Sequence, residues 1–193
     1  MTEIKTKKTA WSSALAILFA LLTLVFILLM ATNKAFFEWA FLRHHNILSW
    51  YIRPLILLPL CYFAYKRSWL GISLTAFLGL TSMFWFPEPV VYNDKVIGFL
   101  QMEKEYLTSN WTASKIIISS FVPLTLYLLG LAFWKRSIKM GLGIIVLIAV
   151  MKTLWSVVEG GQAGTSVVIP AAIGLLICVA VIIFVARGKK KQA

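Results

Sequence analysis

At 193 residues and 60% hydrophobic, with a mean hydropathy of +0.85, the chain lies outside the soluble globular class. It reads as an all-α polytopic membrane protein, residues 1–193 forming a single integral membrane domain with no room for a soluble one. The formal net charge of +12 would suggest nucleic acid in a soluble protein, but here the basic residues abut apolar runs, so the bilayer is the expected partner and no nucleic acid is.

Those basic clusters are Lys5, Lys7 and Lys8; Lys66 and Arg67; Lys135, Arg136 and Lys139; and Arg187 with Lys189, Lys190 and Lys191. The positive-inside rule then places both termini in the cytoplasm of a plasma-membrane protein, with the clusters attracting anionic headgroups. Six spans are predicted, over 11–31, 48–65, 69–86, 116–134, 142–158 and 167–186.

The first, Trp11 to Ala31, follows a basic start but exceeds the usual signal-peptide core, and no small-residue cleavage site follows it, so it reads as a retained span. The linker Thr32 to Asn46 contains AFFEWAFLR, too apolar for water and too short to cross, and is expected to lie at the outer interface. The second span places Arg53 inside an apolar run. A charge there costs at least about 2.5 to 3.5 kcal/mol on insertion scales, so Arg53 needs a partner or water. Asn46, Ser49 and Arg53 share a helical face, and Pro54 and Pro59 predict a kinked or locally open helix.

The third span returns outward and leads to a loop and a short amphipathic helix over 94–107, capped by Asn93 or Asp94. Val96, Phe99, Leu100 and Leu107 share its apolar face, and Glu103 sits in the middle of it, which calls for a basic residue opposite. The fourth span carries Ser119, Ser120 and Pro123 in its outer half. The fifth contains Lys152, with Ser156 and Glu159 on the same stripe, and the turn GGQAGTS joins it to the sixth. That turn lacks a preceding strand, which argues against a nucleotide, yet at a helix start it offers backbone donors to an anion.

The eight tryptophans fall near predicted span ends or in outer segments, as an aromatic belt requires. The cysteines, Cys61 and Cys178, sit in apolar runs without ligating neighbours and read as core or lipid-facing residues; no metal site and no cofactor are expected. A weak internal repeat is visible, Pro54 preceding Lys66-Arg67-Ser68 by the same twelve residues that separate Pro123 from Lys135-Arg136-Ser137. A parallel duplication explains it, and so does the positive-inside rule acting twice. Asn110-Trp111-Thr112 fits a glycosylation sequon, relevant only in a secretory-pathway host.

In the six-span frame His44, His45, Arg53, Glu88, Glu103, Lys152 and Glu159 all fall in the outer half. One reading is an outward-facing pocket walled by the second, third and fifth spans and lidded by the 94–107 helix. It would bind or transport a small polar or anionic solute, with Arg53 and Lys152 as anchors and Glu159, Glu103 and Glu88 as counter-charges or proton carriers. Equally, Arg53 and Lys152 could form purely structural ion pairs with Glu159 and Glu103.

Whether the chain is an enzyme stays open. An alternative is a membrane-embedded enzyme acting on a lipid or peptide at the outer leaflet, with His44, His45 and Glu103 as catalytic candidates. The adjacent histidines diverge on a helix and would not grip one metal, and no hydrolase or metalloprotease motif is present. A third reading is a non-catalytic accessory or immunity protein. So narrow a bundle also suits association with copies of itself or with a larger membrane complex.

Overall fold

The computed structural model describes residues 2–190, and side chains from 9 to 188, so Lys191 and the side chains of Lys5, Lys7, Lys8, Lys189 and Lys190 lie outside the account that follows. All regular structure among them is helical: α1 (Thr2–Thr32), α2 (Lys34–His44), α3 (Leu48–Tyr65), α4 (Trp69–Thr81), α5 (Asp94–Thr108), α6 (Ala113–Trp134), α7 (Ile138–Gly164) and α8 (Val168–Lys190). Four stretches are long and apolar enough to cross a bilayer: Thr9–Thr32, Leu48–Tyr65, Ala113–Trp134 and Ile138–Gly188. These are the features of a helical membrane protein.

Helix boundaries follow local chemistry. Asn33 caps α2 by accepting from the Phe36 amide, and Asn93 caps α5 by accepting from Lys95 and Val96. Helix α3 runs continuously through Pro54 and Pro59, so neither proline ends it. The Cys178 thiol of α8 donates to the Pro54 carbonyl at 3.3 Å, and a Cβ on Gly174 would overlap the Pro54 ring, so α8 crosses α3 at a small residue. Both cysteines are free and buried in one cluster with Leu129, Phe133 and Ile145.

The two Lys-Arg-Ser turns are built alike. Ser68 N–H donates to the Phe63 carbonyl and Ser137 N–H to that of Ala132, while Arg67 and Arg136 donate to Ala64 and Phe133, every bond at 2.9 Å. Both arginines occupy the left-handed region, at φ 56° and 58°, where glycine is the usual residue. Each turn is followed by a glycine, Gly71 or Gly141, packed against an aromatic ring of the preceding helix, Phe63 or Phe133. The hairpins α3–α4 and α6–α7 thus share one turn geometry, and they pack on each other through α3 and α6.

At the other end α7 does not stop at Val158. Its hydrogen bonding continues to Gly164 across a reversal at Gly161, which has φ 53° and ψ −128°, and a 3-10 turn (Thr165–Val167) leads into α8. Gly164 returns against the Ser156 carbonyl with no space for a Cβ.

Three expectations are corrected. Leu107 is 39% exposed, because the last turn of α5 runs past the surface that covers Val96, Phe99 and Leu100. Trp50 is not a belt residue: it is 7% exposed, packed in the core with Phe41, Met83 and Phe99. Trp155 packs against the same cluster from α7. Both were drawn inward because α2 and α5 fold over the ends of α3 and α7 and offer aromatic partners there.

Candidate functional site

The polar centre is assembled where α2 ends and α3 begins. Arg53 Nη1 donates to His44 Nε2 at 3.1 Å. His44 Nδ1 lies 2.9 Å from Ser49 Oγ, whose hydroxyl donates to the Asn46 carbonyl at 2.8 Å. An arginine cannot accept, so this chain sets the tautomer: Nε2 accepts from the guanidinium and Nδ1–H donates to Ser49. Trp50 Nε1 donates to the His44 carbonyl at 3.0 Å and closes the turn between the helices.

Arg53 therefore has a neutral ring for a partner, and no carboxylate lies within ion-pairing distance of it among the described residues. Its Nε is buried without an acceptor. The expected pairing of a basic residue with Glu103 is met by α7 instead, Lys152 Nζ standing 3.1 Å from Glu103 Oε1. The ammonium also lies over the rings of Trp155 (4.8 Å) and Phe99 (5.3 Å).

An aromatic chain joins the two cations. His44 contacts Trp50 at 5.8 Å between ring centroids, Trp50 meets Phe99 at 5.4 Å, and Phe99 meets Trp155 at 6.4 Å. The Trp155 Nε1 of this chain is buried without a partner, and so is Ser156 Oγ on the next residue of α7. All three unpartnered groups can donate a hydrogen bond.

The remaining candidates lie apart. Glu88 is exposed in the loop before α5, where it accepts from the Tyr92 hydroxyl, and this bond holds the phenol proton on and raises its pKa. His45 points away from His44, bonding the Phe41 carbonyl through Nδ1 at 2.8 Å and meeting the Tyr92 ring edge-on at 5.5 Å. Glu159 is exposed, with no hydrogen bond or ion pair among the described residues. Two grooves of about 390 and 400 Å³ flank α5; the first is lined by Glu38, His45, Gln101 and Lys104 among others, the second by Tyr51, Asn93, Lys95 and Ser166, and neither includes Arg53 or Lys152.

Sequence reasoning missed His44 as the partner of Arg53, since it looked for acids. The signal available was the His44–Ser49–Arg53 spacing across a tight turn. It also missed Lys115, buried at the start of α6, where Nζ donates to the Ser109 carbonyl at 2.8 Å between the rings of Trp111 (4.6 Å) and Tyr106 (4.9 Å). An ion pair between Lys104 and Glu38 fastens α5 to α2.

Burial, and then the charges of Arg53, Lys152 and His45, push His44 well below its ordinary pKa of 6.5. With the folded value depressed, His44 is neutral in both folded and unfolded chains above about pH 6.5, and its penalty appears as pH falls below that. A proton on Nε2 would set two donors face to face. Thermal stability is therefore expected to hold level above about pH 6.5 and to fall progressively below it. His44→Gln should flatten the decline, measured as Tm against pH; an unchanged slope would place the acid-sensitive group elsewhere.

Comparison with protein families, with curated proteins and with solved structures finds nothing similar to this chain.

Proposed function

We propose that the chain is a six-span protein of the plasma membrane, both termini cytoplasmic, that binds or transports a small polar or anionic solute at the outer ends of α3 and α7. The observation that carries this reading is Arg53, half-buried without a carboxylate partner and with its buried Nε unpartnered. Charges inside a span are normally paired, and an unpartnered guanidinium N–H calls for an acceptor such as an anion. Lys152, exposed and paired with Glu103, adds a second cation along the same aromatic wall.

Six crossings are supported by two features. The stretch Ile138–Gly188 holds two helices that reverse at Gly161 and pack together, and the apolar Trp69–Phe84 links two turns of opposite ends. The catalytic reading has less support: His44 has both ring nitrogens engaged by Arg53 and Ser49, and Glu103 is tied to Lys152.

The test is thermal unfolding of the purified chain in neutral detergent with sodium salts of phosphate, sulfate, acetate and succinate, chloride being the reference. At least one of these anions should raise Tm in a saturable manner and at unchanged ionic strength. A flat response to all four, with no uptake of any of them into proteoliposomes, would overturn the reading.

A further inference from the structure

The two Lys-Arg-Ser turns are separated in sequence by the whole of α4, α5 and α6, yet they meet at the end of the molecule opposite His44. Arg67 Nε donates to the Trp134 carbonyl at 3.3 Å, at the close of α6. In return Arg136 lies over the ring of Tyr65, at the close of α3, with its guanidinium carbon 5.4 Å from the centroid. The Trp69 and Trp134 rings stand 4.9 Å apart between them. Each turn thus grips the helix end of the other hairpin.

The product is one patch holding Lys66, Arg67, Lys135, Arg136 and Lys139, all exposed. No acid answers it: every acid with a described side chain lies in α2, in α5 or the loop before it, or in the far end of α7. Arginine is also the wrong residue for these positions on conformational grounds. A left-handed φ strains a side-chain-bearing residue in a way that glycine escapes. Both turns carry arginine there regardless, and strain held twice at one surface marks a use for the side chains.

We propose that the paired turns form a single headgroup site for an anionic phospholipid. The guanidinium forks of Arg67 and Arg136 match phosphate oxygens, the three lysines add diffuse positive charge, and the Trp69–Trp134 pair, with Trp69 67% exposed, lies at the level of the glycerol ester. The site is independent of Arg53, which sits at the other end of α3.

Thermal unfolding of the full chain in neutral detergent, titrated with dioleoyl phosphatidylglycerol, tests it. The expected result is saturable stabilisation that dioleoyl phosphatidylcholine does not reproduce. The double variant Arg67→Gly/Arg136→Gly relieves the backbone strain, so the lipid-free protein should unfold no earlier than wild type. Its affinity for phosphatidylglycerol should nevertheless fall about fivefold per cation removed, roughly 25-fold for the pair. Should the glycines impair folding through the lost Trp134 bond, Lys66→Gln/Lys135→Gln/Lys139→Gln removes charge without touching it and is expected to weaken binding on the order of a hundredfold. Undiminished affinity in the variant that folds overturns the proposal. So does equal stabilisation by phosphatidylcholine or by inorganic phosphate alone, or an equal loss in the distant Lys95→Gln control.

Discussion

Arg53→Leu is expected to abolish anion-induced stabilisation while leaving the folded protein at least as stable as wild type. The guanidinium has no carboxylate partner, so deleting it removes a membrane-insertion cost of about 2.5 to 3.5 kcal/mol. Against this, His44 Nε2 loses its donor, which costs about 1 to 3 kcal/mol for a buried acceptor. The balance favours the variant by roughly 1 kcal/mol. A residue that destabilises its own fold and is nonetheless present is explained by a ligand that completes it. The measurement is Tm in detergent with and without the anion that stabilises wild type. If Arg53→Leu retains that response, Arg53 is no anchor; if the variant unfolds several kcal/mol earlier, the arginine is structural.

The second large effect concerns backbone geometry. Gly164→Ala is expected to cost about 3 kcal/mol or to prevent accumulation of the folded protein, because the added methyl would collide with the Ser156 carbonyl, and backbone cannot swing aside as a side chain can. Gly161→Ala is the internal control. Its φ of 53° with ψ −128° mirrors extended backbone and disfavours alanine, but a Cβ there meets nothing within 4 Å, so the cost is backbone strain alone, about 1 to 3 kcal/mol. Unfolding midpoints in mixed micelles, compared for the two variants, decide the matter. A Gly164→Ala variant as stable as wild type would mean that α7 and α8 are not joined by the tight reversal described above.

The two predictions differ in how much the sequence had disclosed. Arg53 was conspicuous as a charge in an apolar run, and the Asn93 cap and the repeated Lys-Arg-Ser turns were legible because they depend on neighbours in the chain. The reversal at Gly161 was legible only as a glycine-rich turn. That Gly164 admits no methyl depends on where Ser156 lies after the chain has doubled back, which no local pattern encodes.

Tryptophan illustrates the same limit. Trp11, Trp69 and Trp111 are exposed near the ends of apolar stretches as a belt requires, whereas Trp50 has the same sequence context and is buried. What separates them is whether another helix happens to cover the span end, and at Trp50 it is α5 that does so, through Phe99.

By itself, then, the chain's apolar periodicity, caps and basic clusters determined that it is helical, that its long apolar stretches suit a bilayer, and where most helices begin and end. These are properties of contiguous residues and follow from hydrophobic transfer and local hydrogen bonding. Only the tertiary structure decided that Arg53 meets a neutral histidine instead of an acid, that Glu103 goes to Lys152, and that the two arginine turns interlock. Partner choice among charges depends on which helix faces lie within a few ångströms, and that is settled by packing around the small residues and aromatic rings between them.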